Sequence, residues 1–334
     1  MGRIRDFFIN SVSFIKDKFH KEKNDFKVST VVLGYNGGKY LRKRLESIIN
    51  QSLKPYEIIY LDDASTDDSL KIAKSILKKS KIKHKIIVNK KNMGCGSQII
   101  KGLNTAKGDF IWFTEQDDYS SIAFLTNIRK LLADSAVNLA FCKSEPLDVV
   151  YRKLSGYPSY SELPNEDYLI DGSEQIESLL CVRNTILDLS SAVFRKAALE
   201  GIETYISKCK IFYDWIMYAY VLKSGKVGYC SKVLNYHLRH PDSIMGRNRQ
   251  NPLFYEDVLT VKNFIVENFK LSVEKLQEML DEVKTDYESC GCIGSNSDNI
   301  SEHPFLGRKY NDFKEKVFRK IAQITTGNSD FKEK

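Results

Sequence analysis

A chain of 334 residues with 42% hydrophobic and 11% aromatic content excludes a disordered polymer and has room for one large α/β domain with additions. The net charge of +8, from 51 basic and 43 acidic residues, is a mild excess with no basic stripe interleaved with aromatics. Nucleic acid is therefore excluded as the expected partner, while anionic membrane surfaces and phosphorylated substrates remain open. Seven cysteines without a signal-peptide pattern predict a reducing compartment. No apolar run reaches the ~18 residues of a membrane span, so the expected location is cytoplasmic, at most peripheral on the inner face of the cell membrane. Cys290-Gly291-Cys292 is too closely spaced for a zinc knuckle and has no second pair.

Residues 1–27 form a basic amphipathic segment, with Phe7, Phe8, Val12, Phe14, Ile15 and Phe19 mostly at helical spacing between Arg and Lys. Contact with an anionic membrane surface is one expectation for it, packing on the protein's own body the other. Strand and helix signals then alternate. Apolar runs predict strands at 28–35, 56–65, 84–90 and 109–116. Between them, amphipathic stretches predict helices at 40–52, 67–79 and 96–106, the last with Gly108 as its C-terminal cap. Repeated β-α units of ~25–30 residues imply a mostly parallel sheet with helices on both faces. Beyond 120 the rhythm loosens. A strand is expected at 138–148, a long turn-rich loop at 150–171, a helix at 173–183 and an unassigned segment at 185–199. A helix at 212–225, a strand at 227–240 and a helical tail from about 255, interrupted at 290–299, complete the chain.

In an open parallel sheet, ligands bind beyond the carboxyl ends of the strands. Asn36 follows the first strand, Asp62 and Asp63 end the second, and Asp117 and Asp118 follow the fourth in "FIWFTEQDDYSS". Distant in sequence, these groups share one rim. Neither GxGxxG nor GxxxxGK[ST] occurs, so carboxylates rather than backbone amides face the ligand. A phosphorylated ligand would then need a bridging hard cation, Mg²⁺ or Mn²⁺, and a nucleoside diphosphate meets that requirement. Plainer readings stand beside this one: Asp62 or Asp67 as caps of the helix starting near Asp68, Asp117 or Asp118 as a cap of the helix after Tyr119, and Asp214 as a charge favourable to a helix dipole.

The stretch "VSTVVLGYNGGKYLRKRLESIINQSLKPYEIIYLDDASTDDS" resembles the opening of the family 2 glycosyltransferases, which have the GT-A fold. "NKKNMGCGSQIIKGLNTAKGDFIWFTEQDD" resembles that family's N-x-G segment and acidic motif, and "FYDWIMYAYVLKSGKVGYCSKVLNYHLRHPDS" the segment with the catalytic base and a later R-x-H element. The resemblance implies an inverting, metal-dependent enzyme that moves a sugar from a nucleotide-diphosphate sugar, UDP-linked by family habit, to a glycan or lipid-linked acceptor in cell-surface polysaccharide synthesis. It implies Asp214 as general base, and donor contacts from Asp63, the Leu33 to Tyr35 backbone, Asn36, Asp117 and Arg239. It implies Asp118, Asp117 and His240 as ligands of Mn²⁺ or Mg²⁺. Two positions depart from the pattern: Glu115 stands where many relatives have Asp, and Tyr213 where many carry a second acid. The implied organisation is a GT-A domain at 28–250, with a nucleotide-binding half (28–120) and an acceptor half (121–250), then a helical extension at 251–334. A sugar nucleotidyltransferase and a catalytically silent nucleotide-sugar-binding subunit are the competing expectations.

Overall fold

The computed structural model describes residues 26–154, 163–241, 243, 252–289 and 304–326. Residues 1–25 of the basic segment, the centre of the 150–171 loop and the 290–299 interruption lie outside them. Four parallel strands carry the first half: β1 (Val28–Gly34), β2 (Glu57–Asp62), β3 (His84–Val88) and β4 (Phe110–Glu115), in the spatial order β3-β2-β1-β4. Helices α1 (Gly38–Ile49), α2 (Ser69–Lys79) and α3 (Cys95–Thr105) make the crossovers. β1 and β2 are buried at every residue, because helices cover both faces of the sheet. Helix α1 buries Leu41, Arg44, Leu45 and Ile48, one stripe at helical spacing that includes a charge.

The second half departs from the parallel pattern. It runs through β5 (Tyr119–Ser120), α4 (Phe124–Leu132), β6 (Val137–Leu147), β7 (Tyr168–Asp171), α5 (Gly172–Gln175), a π turn at Ile176–Leu180, β8 (Ala192–Arg195), α6 (Glu203–Ile206), α7 (Tyr213–Val221) and β9 (Lys226–Leu238). The sheet continues β4-β8-β6-β9-β5, with β7 also on β9. β8 lies in the unassigned 185–199 segment and pairs antiparallel with both β4 and β6. The sheet is thus parallel through 28–115 and mixed beyond. A four-residue strand between long loops carries too little alternation to be seen in sequence.

Gly108 is not the expected helix cap. Helix α3 ends at Thr105, and a Cβ at Gly108 would lie 2.4 Å from the Lys27 carbonyl oxygen. Close approach to the start of β1 excludes a side chain there. Helices α8 (Pro252–Asn268), α9 (Val273–Ser289) and α10 (Pro304–Thr326) follow the sheet. Val258, Val261, Ile265, Leu276 and Phe313 share one apolar cluster with Trp215 and Ile216 of α7. The C-terminal helices therefore complete the core around α7, which is apolar on nearly all sides and needs that cover. No described helix is long and apolar enough to cross a membrane.

Candidate active site

The carboxyl ends of β1, β2 and β4 meet in register, Gly34 beside Asp62 and Leu33 beside Glu115. The loops leaving these ends carry the predicted residues. Tyr35 is exposed at the end of β1, and both its peptide groups pair with one side chain: its N–H donates to Gln116 Oε1 (3.0 Å), and Gln116 Nε2 donates to its carbonyl (2.7 Å). A Cβ at Gly37 would collide with that amide at 2.0 Å. Asn36 turns the chain with φ 48°, its Oδ1 accepting the Thr66 N–H at 2.8 Å. Leu33 buries its side chain, so only its backbone is placed on the rim.

Asp63, 1% exposed, accepts from Asn89 Nδ2 (2.6 Å), from the Met93 N–H (2.9 Å) and from the Gly94 N–H (2.8 Å). It therefore holds the 89–94 loop against the sheet. That loop opens α3, where a Cβ on Gly96 would lie 2.6 Å from the Tyr213 ring. The second acidic strand end and the helix bearing Asp214 are thus joined through one short loop. Asp62 accepts from the Ser65 N–H and the Tyr60 hydroxyl, a turn role. Asp67 takes the Ser69 N–H on Oδ1 and the Gly38 N–H on Oδ2, serving the starts of α2 and α1 together.

After β4 the acids diverge. Asp117 is partly exposed and 2.8 Å from His240 Nε2, and the His240 ring lies 5.0 Å from that of Tyr40. Asp118 is 1% exposed. His237 Nδ1 donates to its Oδ1 at 3.2 Å and the Leu238 N–H at 3.1 Å, while Arg44 Nη2 stands 3.9 Å from Oδ2. Neither acid caps the next helix, which starts at Phe124 with Ala123 before it.

Arg44, fully buried, also donates to the Glu115 carbonyl (2.9 Å) and to Ser120 Oγ (3.0 Å). Asp188, 2% exposed, accepts from Ser144 Oγ (2.6 Å) and Asn235 Nδ2 (2.9 Å). Arg239 Nη1 lies 3.1 Å from His237 Nε2. Charge balance here is tight. Burial opposes ionisation of Asp118, but His237 and Arg44 outweigh it and hold its pKa below the usual range. Burial, with Asp118 and Asp117, pushes Glu115 well above the usual carboxyl range. Burial and Asp118 raise Asp188 to about 6.

Among the described residues, Glu115, Asp118 and His237 offer ligand atoms within 4.8 Å of one another, and Asp118 Oδ2 is buried without a hydrogen-bond partner. Two hard oxygens and an imidazole suit a divalent cation such as Mn²⁺ or Mg²⁺. Arg44, Asp188 and His237 were absent from the predicted set. Arg44 was detectable, as the one charge within the buried stripe of α1. Asp188 was not, because its segment has no periodicity.

Asp214 is in the first turn of α7, partly exposed. Asn184 Nδ2 donates to its Oδ2 at 2.8 Å. Burial raises it to about 7, against the Trp215 N–H and Asn184, which lower it. Among the described residues no Lys, Arg or His forms an ion pair with it, unlike Asp118, which has Arg44 and His237. A carboxyl poised near neutrality can accept a proton; one locked among cations cannot.

An open α/β sheet with carboxylates gathered at its strand ends and no glycine-rich phosphate loop has the GT-A architecture, shared with solved structures of glycosyltransferases. Residues 1–349 of TarS of S. aureus, in complex with UDP-GlcNAc, match with TM-score 0.66 and 20% identity, over 88% of this chain and 82% of that one. Mannosyltransferase PcManGT from Pyrobaculum calidifontis, in complex with GDP-Man and Mn²⁺, matches with TM-score 0.56 and 13% identity, over 89% and 86%. The family model for glycosyl transferase family 2 matches residues 29–199, a little over half of the chain, and the chain belongs to that family. It is 31% identical over 173 residues, 50% of this chain and 44% of the relative, to the cholesterol galactosyltransferase of Borreliella burgdorferi. Over 144 residues it is 31% identical to glycosyltransferase GlyA of Streptococcus pneumoniae, covering 42% of this chain and 20% of that relative. The chain spans less than half the length of either. That family membership speaks against the sugar nucleotidyltransferase expectation.

Proposed function

We propose that the protein is an inverting transferase that moves a sugar from a nucleotide-diphosphate donor, UDP-linked, to a hydroxyl of a lipid-linked glycan. The observation that carries this reading is the contrast between Asp214, poised at about 7 and bonded to the Asn184 amide, and Asp118, held as an anion by His237 and Arg44. Asp214 takes the proton of the acceptor hydroxyl as its oxygen attacks the anomeric carbon. The bond from that carbon to the β-phosphate oxygen breaks, and the nucleoside diphosphate leaves with the electron pair. One base opposite the leaving group gives a single displacement with inversion.

Asp117 and Asp118, with His240 and the neighbouring Glu115 and His237, are the residues that would hold a divalent cation. When bound, that cation supplies Lewis-acid stabilisation of the charge growing on the diphosphate. Arg239 is the proposed phosphate partner. The nucleoside lies against the Leu33 to Tyr35 backbone and Asn36, with Asp63, which also holds the 89–94 loop, as the proposed base contact. The solved neighbour with UDP-GlcNAc supports the uridine assignment, and the relative named for cholesterol supports an acceptor at a membrane. Residues 1–27 would bring the enzyme to the cytoplasmic membrane face.

The test is thermal unfolding with UDP, dTDP, GDP and CDP, each with Mn²⁺ and with a chelator. A nucleotide at ~100 times its dissociation constant adds ~2.7 kcal/mol. The expected result is stabilisation by UDP only with metal, lost in Asp117→Asn. No shift with any nucleotide at millimolar concentration would overturn the donor site. A UDP shift without sugar turnover would instead favour a silent binding subunit.

A further inference from the structure

Asp257 interrupts the apolar stripe of α8, which otherwise buries Tyr255, Val258, Val261, Phe264 and Ile265. A carboxylate at such a position, with no exposure at all, is expensive unless it is hydrogen-bonded. Its Oδ2 accepts three backbone N–H groups, from Lys210 (2.6 Å), Ile211 (2.5 Å) and Phe212 (3.1 Å). These residues lead directly into α7, which starts at Tyr213 and whose own N-cap residue, Phe212, provides no side-chain cap. Of these amides only that of Phe212 belongs to the helix start, which leaves N–H groups without intrahelical acceptors; those of Lys210 and Ile211 fix the turn that leads into it. Phe254, one turn earlier on α8, packs its ring 4.8 Å from that of Phe212.

The other group touching Asp214 is anchored from the same side. Arg183, the residue before Asn184, donates through Nη2 to Glu282 of α9 at 3.0 Å. Both the backbone that carries Asp214 and the neighbour of its hydrogen-bond partner are therefore fixed by the C-terminal helices. These helices lie beyond the residues that the family model matches.

We propose that Asp257 is a positioning residue for the transfer reaction: through the three amides it fixes the start of α7, and so the place from which Asp214 reaches the acceptor. This rests on the reading of Asp214 as the base. Orientation of a reacting group is worth much in rate, and a displacement of about 1 Å can cost ~10²-fold.

The experiment compares the full chain with Asp257→Asn and Asp214→Asn. It reads UDP release from UDP-GlcNAc, UDP-glucose and UDP-galactose with water as acceptor, the UDP-induced thermal shift with Mn²⁺, and hydrogen exchange over 210–216. Asp257→Asn keeps the volume and one neutral acceptor, so it should fold. Its expected result is a ~10- to 100-fold fall in kcat with donor KM and the UDP shift unchanged, and faster exchange at 210–216. Asp257→Glu, which keeps the charge, should recover part of the rate. A wild-type rate in Asp257→Asn beside an impaired Asp214→Asn overturns the positioning role. Equal losses of kcat and of UDP binding overturn it too, since they mark a global structural role. A wild-type rate in Asp214→Asn sinks the base itself. If no donor turns over, unchanged exchange at 210–216 in Asp257→Asn overturns the proposal, and faster exchange confined there upholds it.

Discussion

The rim around Asp117 and Asp118 and the start of α7 around Asp214 are two acidic regions solved in opposite ways. On the rim, Asp118 is surrounded by Arg44, His237 and the Leu238 amide, so its charge is held in place at any neutral pH. At the start of α7, Asp214 has neutral donors, the Asn184 amide and the Trp215 N–H, and a burial that disfavours its charge. The same side chain becomes a fixed anion in one environment and a proton acceptor in the other. Burial alone does not decide which. The decisive difference is whether a cation is buried alongside, which α1 and β9 provide on the rim and α7 does not.

The sharpest way to break the comparison is Asp214→Asn. It should lower sugar transfer by ~10²–10⁴-fold while leaving the metal-dependent UDP thermal shift intact. A near-normal rate would mean that proton removal happens elsewhere. On the rim, Asp118→Ala should be costly to the fold instead, because it leaves Arg44 and His237 buried without their counter-charge. The expected loss is about 3–5 kcal/mol in denaturant unfolding, against little change for the more exposed Asp117→Asn. Equal stabilities for the two variants would show that the rim acids are interchangeable.

The pH profile separates the regions more finely. Asp214 works deprotonated, so turnover should rise tenfold per unit up to about pH 7 and flatten above it. Asn184→Asp adds a like charge beside it and should move that inflection to higher pH, with UDP binding unmoved. A profile flat from pH 5 to 8 would remove Asp214 as the titrating base. The smallest effect is expected at Asp67→Ala, which removes an acceptor shared by two helix starts. About 1 kcal/mol of stability should be lost, with kcat unchanged.

Much of the nucleotide half was legible. Uniform apolar runs bounded by turn residues marked β1, β2 and β4, and the topology of parallel strands then gathered Asn36, Asp63, Asp117 and Asp118 at one end. Trp112 and Trp215 are core residues whose indoles donate to the Ser190 and Leu180 carbonyls. What was not legible is how each acid is spent. Asp63 looks in sequence like a free strand-end carboxylate, yet its oxygens hold the 89–94 loop. His237 and His240 sit three residues apart, and only the packing of β9 against β5 gives His237 to Asp118 and His240 to Asp117.

By itself, then, the sequence determined the parallel βαβ frame and the rim on which its acids converge, because hydrophobic period and turn chemistry are local properties. Tertiary structure alone decided the rest: the insertion of β8, the burial of Arg44 against Asp118, and the reach of Asp257 to the start of α7. Charge pairing and capping across long separations depend on which surfaces meet, and no local pattern records that.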